Sequence, residues 1–333
     1  YLRIYFLGMP ATMVYNFGAA LLRAEGDTQR PLYYLSLAGV VNIVLNLFFV
    51  IVCHLDVAGV AIATVISQCI SASLVLRCMV KDTGPLHLDL RKLQIHSRTM
   101  RKILQVGLPA GFQGILFSLS NVVIQSSVNT FGEVIMAGNS AAANIEQFVY
   151  VSMNAMYQAT ISFVSQNYGA GNYHRIRRIV IRAQICVLVV GLILGNLATL
   201  FGRGLLAIYT TSPAVIDAGL IRMRIICTTY AICGMMDVMV GGLRGIGYSV
   251  MPMLVSLVGA CGLRLVWIAT IFQLPRFHTI QMLYWSYPVS WTITLGVHVL
   301  CFLWAMKRVK RHLLAQSEAV DPAAEMSEEP AAR

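Results

Sequence analysis

The sequence predicts an all-α polytopic membrane protein. Of its 333 residues, 57% are hydrophobic and only 12% charged, whereas soluble domains carry about 25% charged residues. The mean hydropathy of +0.70 holds over the whole chain, so apolar sequence fills most of the length and a soluble enzyme with one anchor is excluded. The apolar runs are also of the right size. A hydrocarbon core of about 30 Å takes about 20 helical residues to cross, which leaves room for about eight to ten spans. The net charge of +11 does not point to nucleic acid, because most of the Lys and Arg residues lie between the apolar runs.

Charged and Gly/Pro punctuation divides the runs into nine expected helices. The first, 1–22, stops at Arg23 and Gly26; the second, 31–53, opens on Pro31; the third, 57–80, lies between Asp56 and Lys81. Lys102 precedes 103–129, Glu133 precedes 134–165, and Arg178 and Arg203 bracket 179–202. The last three are 216–243 before Arg244, 252–274 from Pro252 to Pro275, and 282–306 before Lys307. Alternate connections hold 18 of the 25 basic residues, and basic connections collect on the cytoplasmic side. The loops starting near 23, 81, 166, 244 and 307 are therefore expected inside. The eight cysteines form no CxxC pair and read as small apolar residues, with no metal site or disulfide framework.

One self-similarity organises the chain. An offset of 221 aligns Arg3, Ile4, Leu22, Arg23, Gly26 and Pro31 with Arg224, Ile225, Leu243, Arg244, Gly247 and Pro252 without a gap. Chance would supply about two identities over such a stretch at about 7% each. The same offset sets Asn16 opposite Asp237. A parallel repeat follows, in which residues 1–80 are the second half of an N-terminal lobe. Residues 81–102 are a cytoplasmic linker, 103–311 a six-helix C-terminal lobe, and 312–333 a disordered cytoplasmic tail. The chain starts on Tyr1 inside an apolar run without a signal-peptide pattern. The expectation is that three further helices precede it in a twelve-helix protein.

LLRAEGDTQRP at 21–31, its repeat GGLRGIGYSVMP at 241–252, GVAIATVISQ at 59–68, VGLPAGFQ at 106–113 and SFVSQNYGAGNYHRIRR at 162–178 resemble the multidrug and toxic compound extrusion (MATE) family. The resemblance runs to about residue 311. It implies two six-helix lobes about a cleft in a bacterial cell (inner) membrane. It further implies a monomer that exports cationic or amphipathic organic compounds in exchange for H⁺ or Na⁺ by alternating access. No cofactor is expected beyond the coupling ion. The expected partners are small organic cations and membrane lipid, and not nucleic acid. The alternative is a lipid-linked oligosaccharide or lipid flippase of the same superfamily. An enzyme is not expected, since HExxH and GxSxG are absent from the sequence.

Ionisable groups inside a membrane are costly and are candidates for function. Arg3, Arg203, Arg222, Arg224 and Arg276 are placed at or near span ends, and four groups stand deeper in the expected spans: Glu146, Asp237, Arg264 and His298. Glu146 shares a helix face with Asn139, Ala143, Tyr150, Met153 and Tyr157. This polar and aromatic stripe suits a wet cavity, where a proton and an organic cation can compete for one carboxylate; the plainer reading is a Glu tied into the bundle. Asp237 is a second cation candidate or a gate group, seven residues before Arg244. At about 10 Å, two turns, the pair is too far apart for a direct bridge. Na⁺ could sit at Glu146 or Asp237, and Asn121 and Gln125 add side-chain oxygens at that depth. Arg264 is expected to be structural, paired with Glu146, Asp237 or carbonyl oxygens, and His298 to be a core histidine or a proton relay. Two interior acids against one Arg favour a cationic substrate. Tyr284, Trp285, Tyr287 and Trp304 are expected in an interfacial belt.

Overall fold

The computed structural model describes residues 2–84 and 86–325. It divides into two compact units, Tyr1–His96 and Ser97–Arg333.

The first unit has three long helices, α1 (Leu2–Glu25), α2 (Gln29–Leu47, prolonged by a π-helical turn at Phe48–Val52) and α3 (Asp56–Lys81). Tyr15, Ala19, Leu22, Ala72, Val75 and Met79 form its core between α1 and α3. Leu, Val and Phe side chains cover its outer faces, the surface that lipid rather than water tolerates.

The second unit holds α4 (Ser97–Asn129), α5 (Glu133–Gly169), α6 (Tyr173–Leu200), the short α7 (Gly202–Ala207) and α8 (Pro213–Gly245). There follow α9 (Val250–Ser256), a π-helical turn at Leu257–Gly262, α10 (Leu263–Ala269) and α11 (Ile280–Glu325). The centre is α8, which packs on α5, α6 and α11. Small residues let these backbones close up, as membrane helices require where burial of apolar surface gives no drive. A Cβ added to Gly195 would strike the Cys227 carbonyl oxygen, and one on Gly191 would meet Ala231.

Among the described residues, eight helices are long and apolar enough to cross a membrane. The helix α5 is not one of them, although it is 37 residues long. Asn139, Glu146, Gln147 and Asn154 dilute its hydropathy, and its apolar neighbours are other helices as much as lipid.

The repeat is visible in the backbone. Gly26 and Gly247, related by the 221 offset, both have positive φ, 105° and 92°. The Asp27 N–H donates to the Leu22 carbonyl at 3.0 Å, and the Tyr248 N–H donates to the Leu243 carbonyl at the same distance. This six-residue closure behind a left-handed glycine is the Schellman helix stop, and only glycine takes that φ without strain. The following spans correspond as well: Gln29–Val52 shifted by 221 is Val250–Gln273.

Two boundaries differ from the sequence expectation. The stretch 81–102 is not wholly a linker, because α4 begins at Ser97; Ser97 is a favoured helix opener and Met100, Arg101 and Lys102 propagate a helix well. The tail expected to be disordered from 312 is helical as far as Glu325. Its Leu, Ala, Gln and Glu residues extend an existing helix, which removes the cost of nucleation. Residues 326–333 of that expected tail lie outside the described residues.

We predict that Gly195→Ala lowers the thermal midpoint of the purified protein by several degrees, since overpacking costs about 1–3 kcal/mol. Gly39→Ala, where nothing lies within 4 Å of the added Cβ, is expected to leave it unchanged or slightly raised.

Candidate functional site

The site is built on α8. Pro213 occupies the first turn of this helix, a position that suits its missing N–H, and the early start carries Arg222 well inside the span. The guanidinium of Arg222 forks onto Glu146 of α5: Nε donates to Oε1 at 2.8 Å and Nη2 to Oε2 at 2.7 Å. Its Nη1 donates to Asn139 Oδ1 at 2.7 Å. Asn139 and Glu146 are seven residues, two helical turns, apart on one face of α5, so one guanidinium reaches both. Tyr284 of α11 donates to Asn139 Oδ1 at 3.2 Å, and Asn139 Nδ2 donates to Gln125 Oε1 of α4 at 2.8 Å. Glu146 and Arg222 are buried, 4% and 8% exposed. Bidentate charge-assisted bonding of this kind is what a buried ion pair needs to offset its desolvation.

This network lines a cavity of about 300 Å³, bordered by Asn121, Gln125, Asn139, Glu146 and Arg222. A larger cavity of about 470 Å³ adjoins it. Asn121, Gln147, Tyr230, Tyr287 and Trp291 belong to both walls. The larger one is also lined by Gln113 and Phe117 from α4, Tyr150, Asn154 and Tyr157 from α5, Asp237 and Arg244 from α8, and Arg264 from α10.

Its three charged groups are held differently. Arg244 donates to the Tyr157 hydroxyl and, at 2.8 Å, to Gln113 Oε1. Arg264 is 3% exposed; its Nε donates to Ser290 Oγ at 2.9 Å. Its guanidinium lies 4.2 Å from the Tyr287 ring centroid and 5.5 Å from that of Trp291. Asp237 has neither a hydrogen bond nor a cation within ion-pair distance among the described residues.

A family model described as MatE matches residues 109–270, the part of the chain that contains α5, α8 and most of these walls. One described as lipid II flippase MurJ matches residues 1–128. A Bacillus subtilis protein named probable multidrug resistance protein YpnP is 28% identical over 79% of this chain and 59% of its own length. Another from the same organism, probable multidrug resistance protein YoeA, is 26% identical over 93% of this chain and 69% of its own length. The crystal structure of a MATE point mutant superposes with a TM-score of 0.86 at 20% identity, covering 93% of this chain and 70% of that one. That likeness establishes the fold. Residues 109–270 thus match the MatE model, and the chain is similar to these multidrug resistance relatives. It is a multi-pass membrane protein, and it spans 59% of the length of the first of these relatives.

All seven residues singled out as cation or substrate candidates line the two cavities. Tyr150, Tyr157 and Asp237 border the larger, Gln125, Asn139 and Glu146 the smaller, and Asn121 both. Met153, on the same stripe of α5, instead packs in the core at 0% exposure. His298 is fully buried off the cavities, with Nε2 3.0 Å from Ser256 Oγ. Tyr284 and Tyr287 are not belt residues: the first is buried against Asn139 and the second faces Arg264. Both point inward because the polar network of α5 and α8 supplies their hydroxyls or ring faces with partners. Trp285 and Trp304 are half exposed.

Arg222 is the residue that sequence reasoning missed. With the helix started at 216 it stood near a span end; the Ser212–Pro213 pair, a helix-start signal, moves it inward. Two expectations change with it. Arg264 is not paired with Glu146 or Asp237, because Arg222 already takes both Glu146 oxygens. The expected surplus of interior acid also disappears, since Arg222, Arg244 and Arg264 stand against Glu146 and Asp237.

Arg222→Gln is predicted to cost about 3–5 kcal/mol, because it strands a buried carboxylate. Asp237→Asn, which breaks no pair, is predicted to change stability by less than about 1 kcal/mol. Thermal unfolding of both variants in one detergent checks the contrast.

Proposed function

We propose that the protein is a secondary active transporter that exports small amphipathic organic compounds by alternating access. In this reading H⁺ or Na⁺ moves the other way, and Asp237 is the group that takes the ion. One observation carries the coupling assignment: Asp237 lines a cavity of drug-accommodating size and is the one cavity carboxylate without a partner among the described residues. An intramembrane carboxylate of this kind exchanges a proton or Na⁺ readily, whereas Glu146 is committed to Arg222. The ion and the organic compound use the cavity in turn, and Tyr150, Tyr157 and Tyr230 supply ring faces and hydroxyls to an amphipathic guest.

The names of the relatives support export of foreign compounds. Those called probable multidrug resistance proteins match over 79% and 93% of this chain, while the lipid II flippase model matches only residues 1–128. The flippase reading is correspondingly weaker.

Reconstitution of the full-length protein into vesicles, with pH and Na⁺ gradients imposed separately, tests this. One of the two gradients is expected to drive movement of a fluorescent amphipathic dye, and Asp237→Asn is expected to reduce gradient-driven transport about tenfold or more. Normal gradient-driven transport by Asp237→Asn would remove Asp237 from the coupling role.

A further inference from the structure

We propose that the larger cavity takes an aromatic organic anion, with Arg264 binding its carboxylate and the rings around Arg264 stacking on its aromatic part. This names a cargo class for the transport reading above and rests on that reading only for the idea that the guest is carried.

The charge balance is the first argument. The Glu146–Arg222 pair cancels within itself. The charged groups left on the cavity wall are Arg244, Arg264 and Asp237, so the wall is net positive. An organic cation would meet two guanidiniums and one carboxylate.

The second argument is the state of Arg264. It is almost wholly buried, and its one hydrogen-bond partner among the described residues is the neutral Ser290 hydroxyl. No carboxylate is within ion-pair distance of it among the described residues. A buried charge without a counter-ion costs several kcal/mol. Because the group borders a cavity, a guest anion can supply what the protein does not.

The third argument is geometry. The Tyr287 and Trp291 rings flank the guanidinium, their centroids 4.2 and 5.5 Å from its carbon, and Ser290 holds Nε. The remaining N–H groups lie in the guanidinium plane, where a carboxylate accepts two parallel hydrogen bonds. Tyr287, Trp291 and Tyr230 give the same pocket an aromatic wall. A volume of about 470 Å³ holds a two-ring molecule and is small for a lipid-linked oligosaccharide.

Fluorescence titration of the full-length protein in phosphatidylcholine nanodiscs in gluconate buffer tests the proposal. The probes are dansylglycine, a carboxylate, and the matched ammonium, dansyl-ethylenediamine. Dansylglycine is expected to bind about tenfold more tightly, a difference of about 1.4 kcal/mol. Arg264→Gln should remove that preference and Arg264→Lys should keep most of it. Equal or reversed preference in the unaltered protein overturns the proposal whether or not the Gln variant folds. So does unchanged binding in a folded Arg264→Gln. Displacement of the probe by chloride at low millimolar concentration would assign the site to an inorganic anion. Loss of binding in phosphatidylglycerol discs would assign it to a lipid headgroup. Either result overturns the organic class. Binding needs no turnover, so anion preference in a protein that fails to transport defeats the transport reading alone.

Discussion

The architecture of the second unit depends on the buried fork between Glu146 and Arg222. Two full charges are removed from water and from lipid, and only a bidentate geometry with further hydrogen bonds makes that tolerable. The further bonds come from Asn139, which is itself held by Tyr284 and Gln125. Four helices are thereby tied at one depth, and the rotation of α5 and α8 about their own axes is set. Once α8 is turned so that Arg222 meets Glu146, residues at helical spacing further along it, Tyr230, Asp237 and Arg244, face the larger cavity. The small residues on the other side of α8 then meet α6 at backbone distance.

That arrangement also separates roles among groups that look alike in sequence. Two interior carboxylates stand seven residues or more inside their helices, yet one is neutralised by a dedicated partner and the other is open to a cavity. Three interior arginines divide in the same way: Arg222 serves the fork, Arg244 is held by Tyr157 and Gln113, and Arg264 is held by rings and a single hydroxyl. A structural charge and an available charge differ only in their neighbours.

Much of the fold was legible. Long apolar runs are set by the thickness of the bilayer, and the stops at Gly26 and Gly247 are set by a backbone conformation that only glycine takes freely, so both leave marks in sequence. The α5 stripe was legible for a similar reason: Asn139, Glu146, Tyr150 and Tyr157 recur at helical spacing, and they line the two cavities. Pairing was not legible. Glu146 and Arg222 are 76 residues apart, and no periodicity links positions on different helices. Because Arg222 stood near an expected span end, its charge was counted with the loops, and the cavity's sign came out reversed. Arg244 was misjudged likewise, since a long side chain at a helix end can reach inward as well as outward.

A double-mutant cycle tests the clamp most directly. Glu146→Gln, Arg222→Gln and the double variant would be purified in one detergent and unfolded thermally. If the fork is the constraint on which the helix arrangement rests, each single variant loses stability sharply. The double variant then recovers much of it, with a coupling energy that exceeds the smaller of the two single losses. Additive losses, or a double variant no more stable than the worse single, would contradict the account.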